Sequence, residues 1–176
     1  MVHLSVCLTP GIRAKLMDRF GEDPYKGLFS LLIVASIVLI VLGWRGSVPY
    51  PVYDPPQWGR IVAVILMAVA LILFLASSLP TNLKRVMRHP QLTGIVLWAA
   101  AHLLSNGDRR SIVLFVGLAL WSIAEIVVIN RRDAVWVKPS AVAVSKDLLP
   151  VVFGAIVFVL LYWLHPYFTG VPLVLR

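Results

Sequence analysis

The stretch IVAVILMAVALILFLASSL, residues 61–79, contains neither a charged side chain nor a proline. A helix needs about 20 apolar residues to cross the roughly 30 Å hydrocarbon core of a bilayer, and this run meets that length. Lipid offers no hydrogen bonds, so a lone segment of this kind satisfies its backbone only as a helix. Outward from it the pattern repeats. Apolar blocks of spanning length occupy residues 27–44, 111–129 and 148–164, and a shorter fifth block occupies 91–104. Across the 176 residues, 60% are hydrophobic and 14% charged, whereas a soluble domain carries about 25% charged residues. The chain therefore reads as one all-α integral membrane domain over 1–176, a polytopic transmembrane bundle of about five spans.

The net charge of +8 does not point to nucleic acid, because the 16 Lys and Arg lie between the apolar blocks, where positive charge sets topology and meets lipid headgroups. Cys7 is the only cysteine, which excludes an internal disulfide and a thiolate metal cluster. No basic stretch followed by an apolar run and small-residue cleavage site opens the sequence, so a cleaved signal peptide is not expected.

Between the blocks, residues 12–27 mix both charges and predict a short surface helix stopped at Gly21. Residues 45–60, RGSVPYPVYDPPQWGR, hold Pro49, Pro51, Pro55 and Pro56, which remove backbone donors and favour extended chain. Tyr50, Tyr53 and Trp58 suit the headgroup level, so the segment is read as an interfacial loop or a substrate lid. Pro90 and Asn106-Gly107 delimit the short block as a helix over 90–106, about 25 Å long.

That helix carries the most informative residues. His89 sits at its mouth beside Arg88, and His102 lies among alanines and leucines near its far end. Thirteen residues separate the histidines, about 20 Å of rise, so no single ion binds both. Gln91, Ile95, Trp98, His102 and Asn106 form one stripe, expected to face the bundle interior or a cavity because lipid cannot satisfy it. His102 is read either as a ligand of haem or metal or as a histidine bonded to a neighbouring helix. Arg88 and His89 are read either as an anion or cofactor site at a helix N-terminus or as anchors to lipid phosphate. Glu125, the one acid inside a span, is read either as pairing with Arg131 or an arginine of the loop before His89, or as a catalytic or proton-carrying group. His165-Pro166 marks an interfacial helix end.

The run Arg88-His89-Pro90-Gln91-Leu92, with Trp98, Ala101-His102-Leu103-Leu104 and Asn106-Gly107-Asp108, resembles the NnrU family of bacterial membrane proteins. Tyr25-Lys26-Gly27-Leu28-Phe29-Ser30, Pro55-Pro56-Gln57-Trp58, Arg131-Arg132-Asp133, His165-Pro166 and Gly170-Val171-Pro172 extend the resemblance along the chain. The family takes its name from loci of nitrite and nitric oxide reduction. It is similar to plant zeta-carotene isomerase, a membrane protein that carries haem b and isomerises a cis double bond. The resemblance implies a multi-pass protein of the bacterial inner membrane, with a hydrophobic small-molecule substrate possible. It also implies haem b held by His102 and His3. Family members have a full apolar helix ahead of the first histidine, so the start here is expected to be the remnant of an N-terminal helix. Arg88-His89-Pro90 with Gly94 also resembles membrane methyltransferases that use S-adenosylmethionine, with Leu92 where their motif has tyrosine. A non-enzymatic accessory factor is the third reading.

Charge orients the five spans. Residues 1–26 and the loops after the second and fourth spans together hold eleven Lys and Arg, against five on the other side, which predicts that the first group is cytoplasmic. Reporter fusions after Arg132 and after Arg176 are expected to give opposite signals, and matching signals would exclude five crossings.

Overall fold

The computed structural model describes residues 10–170. Its helices are α1 (Pro10–Phe20), α2 (Glu22–Gly46), α3 (Gly59–Ser78), α4 (Leu83–Val86), α5 (Pro90–Leu103), α6 (Arg109–Arg132) and α7 (Leu148–Thr169), with a 3-10 turn at Val144–Asp147. Among the described residues the only β-type pairing is an isolated bridge between Pro51 and Asp108.

The expected surface helix is α1, and Gly21 ends it with φ 86°, a left-handed conformation that favours glycine. α2 restarts at once. Glu22 and Asp23 lie in its first turn, where negative charge complements the helix dipole. Four segments are long and apolar enough to cross a membrane: Glu22–Gly46, Gly59–Ser78, Arg109–Arg132 and Val144–Tyr167.

α3 stands at the centre, with α5 and α7 packed against it, while α6 packs on α5. Helices in lipid gain no hydrophobic drive to associate, so close approach through small residues takes its place. The buried core fits that rule, with Ala63, Ala70, Ala76, Ala99 and Ala101 beside Leu73 and Phe115. A Cβ added at Gly94 would lie 2.8 Å from the Ala70 carbonyl oxygen, so α5 meets the α3 backbone itself. Gly154 of α7 approaches Ile72 equally closely. Most large aliphatic side chains of α2 and α7, and Ile61, Ile65 and Val69 of α3, are exposed, and α2 buries none of its residues.

α5 has 14 residues, about 21 Å of helix, and stops at Leu103 rather than at the expected Asn106. The backbone amides of Ser105 and Asn106 both turn back onto the His102 carbonyl, as does Asn106 Nδ2 at 2.9 Å. Despite its length, α5 joins opposite ends of the bundle. His89, at its start, bonds Asn130 near the end of α6, and Leu104, at its end, packs on Gly59 at the start of α3. Five passes therefore alternate, α2, α3, α5, α6 and α7. The end holding the α3–α5 and α6–α7 connections carries the basic loops and is termed the basic end.

A polar latch closes that end. Asp147 accepts from Thr81 Oγ1 at 2.7 Å, Asn82 N at 2.6 Å and Asn82 Nδ2 at 2.9 Å. Asn82 also exchanges bonds with the Val142 backbone in both directions.

Gly94→Ala is expected to force α5 off α3 and cost roughly 1–3 kcal/mol, the usual range for overpacking. Gly117→Ala, where a Cβ meets nothing within 4 Å, is the matched control. Thermal midpoints of the two variants in detergent check this, the first lowered and the second unchanged or raised.

Candidate functional site

The site forms at the end opposite the latch, where α5 turns into α6. Asp108 caps α6 by accepting from Ser111 N at 3.1 Å and Ser111 Oγ at 2.6 Å, which satisfies amides that would otherwise be orphaned. The loop between α2 and α3 lies across this turn as a strap. Val52 N and Tyr53 N donate to the Gly107 carbonyl at 2.8 and 3.1 Å, and Arg109 N donates to the Tyr50 carbonyl at 2.8 Å. The Tyr53 hydroxyl donates to the carbonyls of Leu103 and Asn106, capping the C-terminus of α5. Partial burial first, and then the negative charge of Asp108, push the Tyr53 phenol above its usual range. Arg110 binds the end of α2, donating to the Trp44 and Ser47 carbonyls at 3.1 Å each, with its guanidinium 4.4 Å from the Trp44 ring centroid.

Beneath the strap, His102 occupies the last turn of α5. Its Nδ1 lies 2.8 Å from the Trp98 carbonyl oxygen. A carbonyl only accepts, so Nδ1 carries the hydrogen, and the lone pair of the neutral ring is on Nε2. The ring stacks on Phe115, with centroids 4.4 Å apart and planes at 26°, and meets Trp98 edge-on at 5.0 Å. Trp98 and Trp44 both abut Phe115, at 5.1 and 6.2 Å. The indole N–H of Trp44 is enclosed without an acceptor among the described residues. A half-open cleft of about 350 Å³, lined by Pro55, Pro56, Gln57, Arg60 and Ser105, begins three residues beyond His102.

The polar stripe of α5 departs from its expected setting. On one side α5 meets α3 at Gly94, and on the other Ser122 Oγ donates to the Leu92 carbonyl at 2.9 Å. Trp98 and His102 fall between these contacts on the surface of α5, and are half-buried. Gln91 is exposed. It lies in the first turn, at a level where polar surroundings replace the need for an internal partner.

The other sequence candidates lie elsewhere. Arg88 donates to the Asp133 carbonyl, and His89 Nε2 is 2.9 Å from Asn130 Oδ1. Both tie the start of α5 to the end of α6. Asp133 also receives two bonds from Arg132. Those bonds above all, then the positive charges of Arg132, Arg88 and His89, hold its carboxyl below the usual carboxylate range. Glu125 is buried and makes no ion pair among the described residues, contrary to expectation. The candidate arginines lie past the end of the buried face, where Asp133 engages Arg88 and Arg132. His165 shares the His102 end and meets Thr169 Oγ1 at 3.2 Å. His3 lies outside the described residues. Among the described residues no group of three or more His, Cys, Asp or Glu could hold a metal ion.

Sequence reasoning gave Tyr53 only a headgroup-level place and Asp108 only a place in the family motif, and did not single out Phe115. Asp108 before a helix carried a capping signal, whereas the partners of Tyr53 lie 50 and 53 residues away and no local pattern marks them.

Tyr53→Phe is expected to cost roughly 0.5–1 kcal/mol by leaving two carbonyls without their donor. The neutral phenol makes these bonds, so its contribution is complete below about pH 10, the unfolded value, and disappears as pH rises through the higher folded value. The gap in thermal midpoint between wild type and variant should hold through neutral pH and close in strong alkali.

A family model described as NnrU protein matches residues 1–173. No curated protein and no solved structure matches the chain. The match covers nearly the whole sequence and agrees with the helical, membrane-spanning architecture: the chain belongs to the NnrU family.

Proposed function

We propose that this protein is a haem b-binding membrane protein acting on a lipid-soluble substrate, with His102 as a ligand to the iron. The supporting observation is the bond from His102 Nδ1 to the Trp98 carbonyl. Metal-bound histidines characteristically donate their second ring nitrogen to a carbonyl or carboxylate, which fixes the tautomer and strengthens the ligand. Here that leaves Nε2 as the donor atom. The aromatic group of Trp98, Phe115 and Trp44 supplies the apolar contact that a flat macrocycle requires, and His3 is the second ligand that the family resemblance names.

Bound haem would supply an iron centre able to exchange one electron, suited either to cis–trans isomerisation of a polyene-like double bond or to a redox role in nitrite and nitric oxide metabolism. The chain's own contribution is positional. The turn at residues 102–106 and the Tyr53 cap fix the end of α5, so His102 is held on a rigid element. A hydrophobic substrate would reach the half-buried face of α5 that carries Trp98 and His102 from the bilayer. The alternative, methyl transfer from S-adenosylmethionine, would draw on Arg88 and His89, and the bonds of both to α6 and to the segment that follows it favour a structural use of that pair. The positive loops of the basic end accord with a cytoplasmic face in a bacterial inner membrane.

The purified full-length protein is expected to show a Soret band that His102→Ala abolishes or shifts to the blue and that His89→Ala leaves unchanged. A wild type that purifies colourless, and stays so after haem supplementation, would make His102 a packing histidine and end this reading.

A further inference from the structure

The buried residues of α6 are Ser111, Phe115, Ser122 and Glu125, spaced to fall on one helical face. Three of them have evident uses. Ser111 bonds the cap, Phe115 stacks on His102, and Ser122 bonds the Leu92 carbonyl of α5. Glu125 has none. It is 2% exposed, and its Oε1 is enclosed without a hydrogen-bond partner among the described residues.

Its position follows from its neighbours. Along α6 it lies between Ser122, bonded to Leu92, and Asn130, bonded to His89, so it packs against the first turn of α5. Five residues separate it from Asn130, about 7.5 Å of helix rise. The charged and titratable groups at that end include His89 and Arg88 at the start of α5, Lys84 and Arg85 before it, Arg131, Arg132 and Asp133 closing α6, Lys138, Lys146 and Asp147 before α7, and Glu22, Asp23 and Lys26 opening α2.

A carboxyl enclosed in this way requires a proton, a cation or a ligand donor. No Lys or Arg pairs with it, and no cluster of ligating side chains surrounds it, among the described residues. The proton remains. Acids that face the interior of a membrane bundle are characteristic of proton relays.

We infer that Glu125 is a proton-exchanging acid of the bundle interior, loaded from the basic end past His89 and Asn130. On release its O–H bond breaks, and the proton passes to water at the basic end, leaving a carboxylate. Uptake reverses the step, and no electrons are transferred. The inference stands whether or not haem is bound.

Dicyclohexylcarbodiimide tests it on the full chain in oriented liposomes. This apolar reagent adds to a protonated carboxyl group and rearranges to a stable N-acylurea without loss of atoms. Peptide mass spectrometry should find the label on Glu125 and lose it in Glu125→Gln. The labelling rate should rise when pH is lowered on the basic-end side and ignore the pH of the opposite side. An unlabelled Glu125, a rate independent of pH on both sides, or a rate governed by the opposite side would each overturn the inference.

Discussion

Hydrocarbon cannot accept or donate a hydrogen bond, and that constraint arranges almost every polar side chain of this protein. Ser122 spends its hydroxyl proton on a carbonyl of the next helix, and Ser111 spends its own on the cap of its own helix. Thr81, Asn82 and Asp147 satisfy one another where two loops meet. The apolar side chains are under less constraint. Large aliphatic residues cover the outer faces, and contact between helices rests on alanine and glycine, for which backbone meets backbone.

The short helix α5 shows the constraint at its strongest. At about 21 Å it falls short of a typical hydrocarbon core, so its ends cannot rely on headgroups alone. At one end Tyr53 and Asn106 cap the free carbonyls. At the other, Arg88 and His89 hold it to α6 and the residue beyond. A helix secured at both ends and pressed on α3 through Gly94 is a stiff mount for a histidine. The ring of His102 is further limited by its bond to Trp98 and its stack on Phe115.

What could be read in the sequence followed from periodicity and length. The apolar block at 111–129 lies within α6, that at 61–79 matches α3 up to its C-cap Leu79, and Gly21 ended the first helix as a breaker should. Three things could not be read. The end of α5 was set by Tyr53, some fifty residues away, and its stop at Leu103 has no local cause beyond the asparagine that helped to mark it. Gln91 belonged to a stripe by angle but not by depth, because a helical wheel ignores how far each residue lies from the bundle end. Glu125 was matched to arginines by proximity along the chain, whereas Asp133, which follows α6, engages Arg88 and Arg132 first. Each miss concerns tertiary competition for a partner, which a single segment does not record.

The strap across α5 has a consequence for the order in which the molecule is made. Its bonds run from Tyr50, Val52 and Tyr53 to Leu103, Asn106, Gly107 and Arg109, which leave the ribosome about fifty residues later. The hairpin of α2 and α3 must therefore enter the bilayer with its connecting loop still unpaired. Prolines suit that interval, since a chain with fewer backbone donors and restricted torsions neither misfolds into helix nor loses much entropy on waiting. Only when the turn after α5 has crossed does the loop find its carbonyls, so assembly of the site is the late event and insertion of its scaffold the early one.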